Sequence, residues 1–182
     1  MPEFRAFPKI PRFNRDVIIT EKIDGTNACI VIQDGEMHCQ SRKRFVTPKD
    51  DNFSFAAWAE VNKDALMNGL GDGYHYGEWW GLGVQRGYGL DHRKFSLFNP
   101  HAYNRKRLDT IPITSLAVVP TLYHGPMTTE AVELCIERLR INGSHAAPGF
   151  MKPEGVVVYH QHARISFKVT LDNDHLPKGI TE

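Results

Sequence analysis

Several features are scarce or missing. No apolar run approaches the ~20 residues of a membrane-spanning helix, and the opening MPEFRAFPKIPRFNRD has no apolar signal-peptide core. The expectation is a cytoplasmic protein without a membrane partner, of phage or bacterial size. There are only three cysteines, Cys29, Cys39 and Cys135, in neither C-x-x-C nor zinc-finger spacing. They exclude a disulfide framework and read as reduced, mostly buried thiols. Charge of either sign is not in excess: 22 basic against 21 acidic residues give a net +1. A general attraction to polyanions is thereby excluded, and nucleic-acid binding would rest on the local clusters SRKRF (Ser41 to Phe45), DHRKF (Asp91 to Phe95) and NRKRLD (Asn104 to Asp109). No Walker-type G-x-x-x-x-G-K occurs. GLGVQRG, with Gly81, Gly83 and Gly87, is one residue off a dinucleotide fingerprint and no clear helix follows it. His160-Gln161-His162 has no third ligand nearby and reads as a hairpin turn or substrate surface.

What is present alternates and turns. The first sixteen residues hold three of the eleven prolines and read as an extended lead-in with room for one edge strand. Short strands are predicted over Val17–Lys22, Ala28–Gln33 and Met37–Ser41, with Asp34-Gly35 as a hairpin turn. Phe53–Asn68 fits one amphipathic helix ended by Gly69, followed by strands at Tyr74–Trp80, at KFSLFNP and at Ser115–Val119. A second helix opens at Thr128 or Thr129, runs through Arg140 and stops at Asn142-Gly143. EGVVVYH and ARISFKV form a terminal strand pair. Hairpin-linked strands with about two helices make an α+β pattern, mainly antiparallel, in one domain over residues 1–182.

Lys22 raises the chemical question, because it ends an apolar strand just before Ile23-Asp24-Gly25. A lysine attacks as a nucleophile only when neutral, so burial or neighbouring positive charge must depress its pKa. Gly25 would let the backbone approach a phosphate with no Cβ in the way. Alone, Lys-x-Asp-Gly is equally a hairpin turn; its companions downstream make it informative.

Lys22-Ile23-Asp24-Gly25 resembles motif I of the covalent nucleotidyltransferases, the superfamily of ATP-dependent DNA ligases, RNA ligases and mRNA capping enzymes. Ser41-Arg42 resembles the next motif, Gly77-Glu78 within YGEWWG motif III, KFSLFN motif IIIa, Glu154-Gly155-Val156-Val157-Val158 motif IV, and Phe167-Lys168-Val169 motif V. The resemblance implies the nucleotidyltransferase, ATP-grasp-like ligase core, with Lys22 attacking the α-phosphate of ATP to give lysyl-AMP. AMP then passes to a 5′-phosphate, and a 3′-hydroxyl seals the strand. It implies catalytic roles for Lys22, Lys168, Glu78 and Arg42, with Arg42 near the nucleotide sugar and Lys168 on the α-phosphate. The nucleotide would be bound by Glu21, Ile23, Gly25, Asn27, Arg42, Glu78, Phe98, Glu154, Val156 and Lys168. Phe98 would stack on the base, with Phe95 in reserve, and Val156 to Val158 would face it from the other side. Glu154 and Glu78 would offer oxygen to Mg²⁺ or Mn²⁺.

Asn27, in Lys-Ile-Asp-Gly-Thr-Asn, tilts the resemblance toward phage and bacterial nick-sealing RNA ligases, acting on nicked duplex RNA or an RNA–DNA hybrid. Two departures stand out. Thr170 replaces the second lysine usual in motif V, and the sequence carries neither the OB domain nor the helical C-terminal domain of larger relatives. An adenylylating sensor module that joins no strands, a DNA ligase core and a guanylyltransferase core stay open as alternatives. Oligomeric state is not legible.

Overall fold

The computed structural model describes residues 2–103, 108–172 and 174. Among them lie ten strands and three helices: β1 Asp16–Lys22, β2 Thr26–Gln33, β3 Glu36–Ser41, β4 Phe45–Val46, α1 Phe55–Val61, α2 Lys63–Leu70, β5 Gly73–Gly81, β6 Arg93–Leu97, β7 Leu116–Val118, β8 Thr121–Pro126, α3 Thr129–Asn142, β9 Gly155–His160 and β10 Ile165–Thr170. They form two sheets. One has the order β10-β9-β1-β8, the other β4-β3-β2-β5-β6-β7. Every pairing is antiparallel except β6 with β7. The expected α+β class with mainly antiparallel sheets is the observed one.

Period-2 alternation gives each sheet two faces. On β1, Val17 and Ile19 join Val156 and Val158 of β9 in a core capped by Ala131, Cys135, Ile136 and Leu139 of α3. On β2, Ala28, Ile30 and Ile32 pack with Trp79, Phe95 and Leu97 beneath α1 and α2. Phe55 anchors this second core, with its ring 5.1–5.9 Å from those of Trp58, Trp79 and Phe95. The inner faces of the two sheets border a cleft of about 540 Å³. Residues 23–25 carry the chain from β1 in one sheet to β2 in the other.

Local chemistry explains most boundaries. Asp34 and Gly35 both adopt positive φ, 53° and 78°, as a tight primed hairpin turn demands. Thr128 caps α3, its Oγ1 accepting from the Ala131 amide at 3.1 Å, and Gly143 ends it at φ 74°. The single helix expected over Phe53–Asn68 is instead two, broken at Asn62. Gly69 lies inside α2, where a Cβ would meet Ile111 at 2.4 Å, and the chain turns at Gly71. Gly69 is therefore a packing residue rather than a stop.

β4 and β8 were not expected from the sequence. The lead-in forms no strand before Asp16, and its Phe4, Phe7 and Ile10 are exposed. Of the basic cluster at 104–109, residues 104–107 lie outside the described residues. His160 is buried, its Nε2 within 3.0 Å of the carbonyls of Arg12 and Phe13, and the chain turns just after it. The turn reading of His160-Gln161-His162 is the one observed. All three cysteines are buried free thiols; burial pushes Cys29 up to about 11 and Cys39 up to about 12. No described helix is long and apolar enough to cross a membrane.

Truncating Phe55 to alanine removes the ring on which three others rest. It should lower the unfolding free energy by about 3–5 kcal/mol, measured by denaturant titration.

Candidate active site

Lys22 ends β1 on the cleft face. Register places Lys22 opposite Gly155, and Thr20 opposite Val157, so this face carries Ile18, Thr20 and Lys22 from β1 with Val157 and Tyr159 from β9. The Lys22 Nζ is 2.6 Å from the Glu154 Oε2, and the side chains are only 23% and 11% exposed. Sheltering strengthens the mutual attraction but costs solvation, and either partner alone would be an uncompensated charge.

Glu78 comes from the other sheet. It is buried on β5 and its carboxylate accepts from the Gly25 amide and from the Asn27 Nδ2, each at 3.1 Å. Burial pushes it up to about 7, and the Glu154 charge adds to this. The Lys22 charge and the two hydrogen bonds pull it the other way. Two carboxylates thus face one ammonium where the sheets meet.

Neighbouring loops fix this corner. The Glu21 carboxylate points away from Lys22, as strand alternation requires. It accepts from the Ser144 Oγ at 2.5 Å and from the amides of His145 and Ala146 at 2.8 and 2.9 Å. Burial raises its pKa above the ordinary value against these bonds. Glu21 thus clasps the loop after α3, although its residue borders the cleft. Arg86 donates from Nε to Asp24 at 3.1 Å and from Nη1 to the Lys152 carbonyl at 2.9 Å. The Asp24 amide donates to the Tyr88 hydroxyl at 2.8 Å. GLGVQRG and the residues after it form successive tight turns, with Gln85 and Tyr88 themselves at positive φ.

Most expected site residues line this cleft: Glu21, Lys22, Ile23, Asn27, Glu78 and Phe98. Phe98 is 42% exposed there, whereas Phe95 is wholly buried in the core beneath α1. Lys168 is opposite Val157 on β10, hence on the same face, and is exposed beyond the lining. Arg42 sits in the loop after β3, exposed and also outside the lining.

One expectation is corrected. Val156 does not face the cleft: it is fully buried against the α3 core, and Val157 lines the cleft instead. Gly25 is glycine because a Cβ would lie 2.5 Å from the Trp79 carbonyl oxygen and 2.7 Å from the Trp80 Cβ. Contact with β5 is by itself enough to impose it. Thr170 bonds through its hydroxyl to the Asp172 carbonyl and to Asp174. The roles of Arg86, Tyr88 and the Ser144 loop were missed. The dense glycines of residues 81–89 were the one visible signal for the first two.

No group of three or more His, Cys, Asp or Glu side chains that could hold a metal ion occurs among the described residues. Glu78 on the cleft lining and Glu154 beside Lys22 offer two carboxylates, an all-oxygen set suited to a hard divalent ion that takes its remaining ligands from phosphate and water. Glu78 is poorly stabilised as an anion by its surroundings, so a cation there would meet a real electrostatic need.

The family model described as RNA ligase matches residues 15–170. A search of curated proteins found no match. Among solved structures, an apo variant of a Naegleria gruberi RNA ligase superimposes with a TM-score of 0.62 at 19% identity, covering 86% of this chain and 50% of that one. A second variant of the Naegleria gruberi enzyme, with ATP and Mn, gives 0.62 at 17% identity over 94% and 58%. A third, with AMP and Mn, gives 0.59 at 18% over 87% and 50%. The chain thus spans about half the length of the solved proteins it resembles, and at these identities the likeness establishes the fold.

Glu78 yields a pH prediction. Its carboxyl holds a proton up to about 7 in the folded chain, against an ordinary 4.5. Between those values the unfolded state binds fewer protons, so its contribution to stability is full below 4.5 and is lost as pH rises through 7. Relative to Glu78→Gln, the wild type should lose on the order of 3 kcal/mol between pH 4.5 and pH 8. Chemical denaturation of both proteins across that range measures it.

Proposed function

The chain belongs to the RNA ligase family, and on that premise we propose that it is the adenylyltransferase core of an ATP-dependent RNA ligase with Lys22 as its nucleophile. One observation carries the reading: the Lys22 amine stands on the cleft face, 2.6 Å from a sheltered carboxylate, at the junction of two sheets.

In the proposed first step the Lys22 Nζ attacks the α-phosphorus of ATP. The bond to the β-phosphate oxygen breaks and pyrophosphate leaves. The amine proton must depart for a lone pair to form, and the Glu154 Oε2 is within reach to accept it. Lys168, on the rim of the same face, supplies positive charge for the α-phosphate oxygens. The base occupies the space between Phe98 and the Val157 side of β9, a slot lined by ring and aliphatic surface. Glu78 and Glu154 would hold a divalent ion, which when bound neutralises charge on the phosphates. The second and third steps transfer AMP to the 5′-phosphate of an RNA strand, in a nicked duplex or an RNA–DNA hybrid, and join it to a 3′-hydroxyl with release of AMP.

Asn27 supports RNA ligase over DNA ligase by resemblance. Its amide holds the Glu78 carboxylate without adding charge. An arginine in that place would instead neutralise Glu78 as an ion pair.

Incubation with radiolabelled ATP should give an acid-labile protein adduct, and GTP should give none. Lys22→Ala should abolish the adduct, a loss of at least about a thousandfold, as expected for removal of a covalent nucleophile. Mass spectrometry of the peptide containing Lys22 checks the site. An adduct retained in Lys22→Ala, or none in the wild type with either nucleotide, would overturn the reading. An adduct without joining of nicked RNA would favour an adenylylating module.

A further inference from the structure

Beyond Phe98, the cleft floor continues as an aromatic surface that the adenylylation chemistry does not use. Tyr74 and Tyr76 alternate with buried residues on β5 and are 55% and 52% exposed. Their rings lie nearly parallel, 18° apart, with centroids at 6.0 Å. Both border the same cleft as Lys22, and the Phe98 amide donates to the Tyr76 carbonyl. Register extends this face sideways. Tyr76 is opposite Cys29, itself opposite Gln40; Tyr74 is opposite Val31, itself opposite His38. Cys29 and Val31 are buried, so the two rings stand over an apolar floor with polar neighbours on β3. At the end of β3 come Arg42 and Lys43, exposed and without an ion-pair partner among the described residues, whereas Arg44 is paired with Asp50 at 2.7 Å.

We propose that the Tyr74–Tyr76 pair is a stacking platform for unpaired nucleobases of the strand to be joined, with Arg42 and Lys43 placed to meet its phosphates. The inference rests on the ligase reading above and adds that, beyond the paired bases at a nick, the strand carries bases free of a complement that lie on this face. A ring face on a sheet accepts any unpaired base, because each base has a π-face, but a base inside a duplex already has both faces occupied. Among the described residues, nothing covers these two large aromatics, which stand in one row. The free cations beside them favour a polyanion over an apolar peptide.

The test is binding of a single-stranded RNA oligonucleotide carrying 2-aminopurine, read by fluorescence at fixed salt, with a blunt duplex of the same sequence as comparator. Tyr74→Ala and Tyr76→Ala should each weaken single-strand binding by about tenfold, equivalent to ~1.4 kcal/mol of lost stacking. The matching phenylalanine variants should bind as the wild type does, since stacking needs the ring and not the hydroxyl. Duplex binding should change less than twofold, and Lys22 adduct formation by Tyr74→Ala should persist. Equal single-strand affinity in both alanine variants would overturn the proposal, as would phenylalanine variants as weak as alanine or an equal loss for duplex. A wild type that forms no adduct with ATP refutes the ligase reading, while the binding comparison decides the platform separately. Thermal unfolding of each variant identifies any loss due to misfolding, and a misfolded alanine variant passes the decision to the serine substitution at the same position.

Discussion

A primary ammonium held half out of water must have its counter-charge within reach, and in this protein that charge comes from 132 residues away. The Lys22–Glu154 pair exists only if β1 lies beside β9, and β1 lies beside β9 only if α3 covers their common outer face. The apolar side of β1 therefore stabilises what the Lys22 side requires. Hydrophobic burial of Val17 and Ile19 against α3 fixes the strand, and the same backbone presents Lys22, three residues after Ile19, on the opposite face. Core and site are the two sides of a single ribbon, and a register slip of one residue would exchange them.

The second sheet makes its contribution at right angles to that logic. Its core beneath α1 and α2 holds β5 still, and β5 brings Glu78 up to the loop that follows Lys22. Because Gly25 has no Cβ, that loop can lie directly on Trp79 and Trp80. The Gly25 amide then reaches Glu78, which ties the acid of one sheet to the turn leaving the other. The electrostatic cost of burying Glu78 is met partly by Lys22, so the two sheets are coupled through charge as well as through the chain.

Much of this was legible from residues. Alternation marked β1, β2, β5, β9 and β10, and the Asp34-Gly35 turn fixed one hairpin. Lys22, Glu78, Asn27, Glu154 and Phe98 were named from sequence and converge in the structure. Sequence was weakest where long-range pairing decides. β8 is a short strand with little apolar content, stabilised mainly by β1, over a hundred residues earlier. The face of Val156 depends on the register of β9 against β1, which no local pattern reports. The role of Gly69 depends on Ile111 pressing against α2. Glu21 borders the cleft as expected of a site residue, and its carboxylate also serves a loop whose sequence shows no sign of the bond.

Arg86 joins the turn after Lys22 to the run before Glu154 through one guanidinium. The two halves of the Lys22–Glu154 pair are thus cross-braced from outside, by a loop outside the cleft lining. Holding both ends before any ligand arrives means that the ordering entropy of the pair is settled at folding rather than at each encounter. The glycine-rich turns that carry Arg86 are where this brace is set.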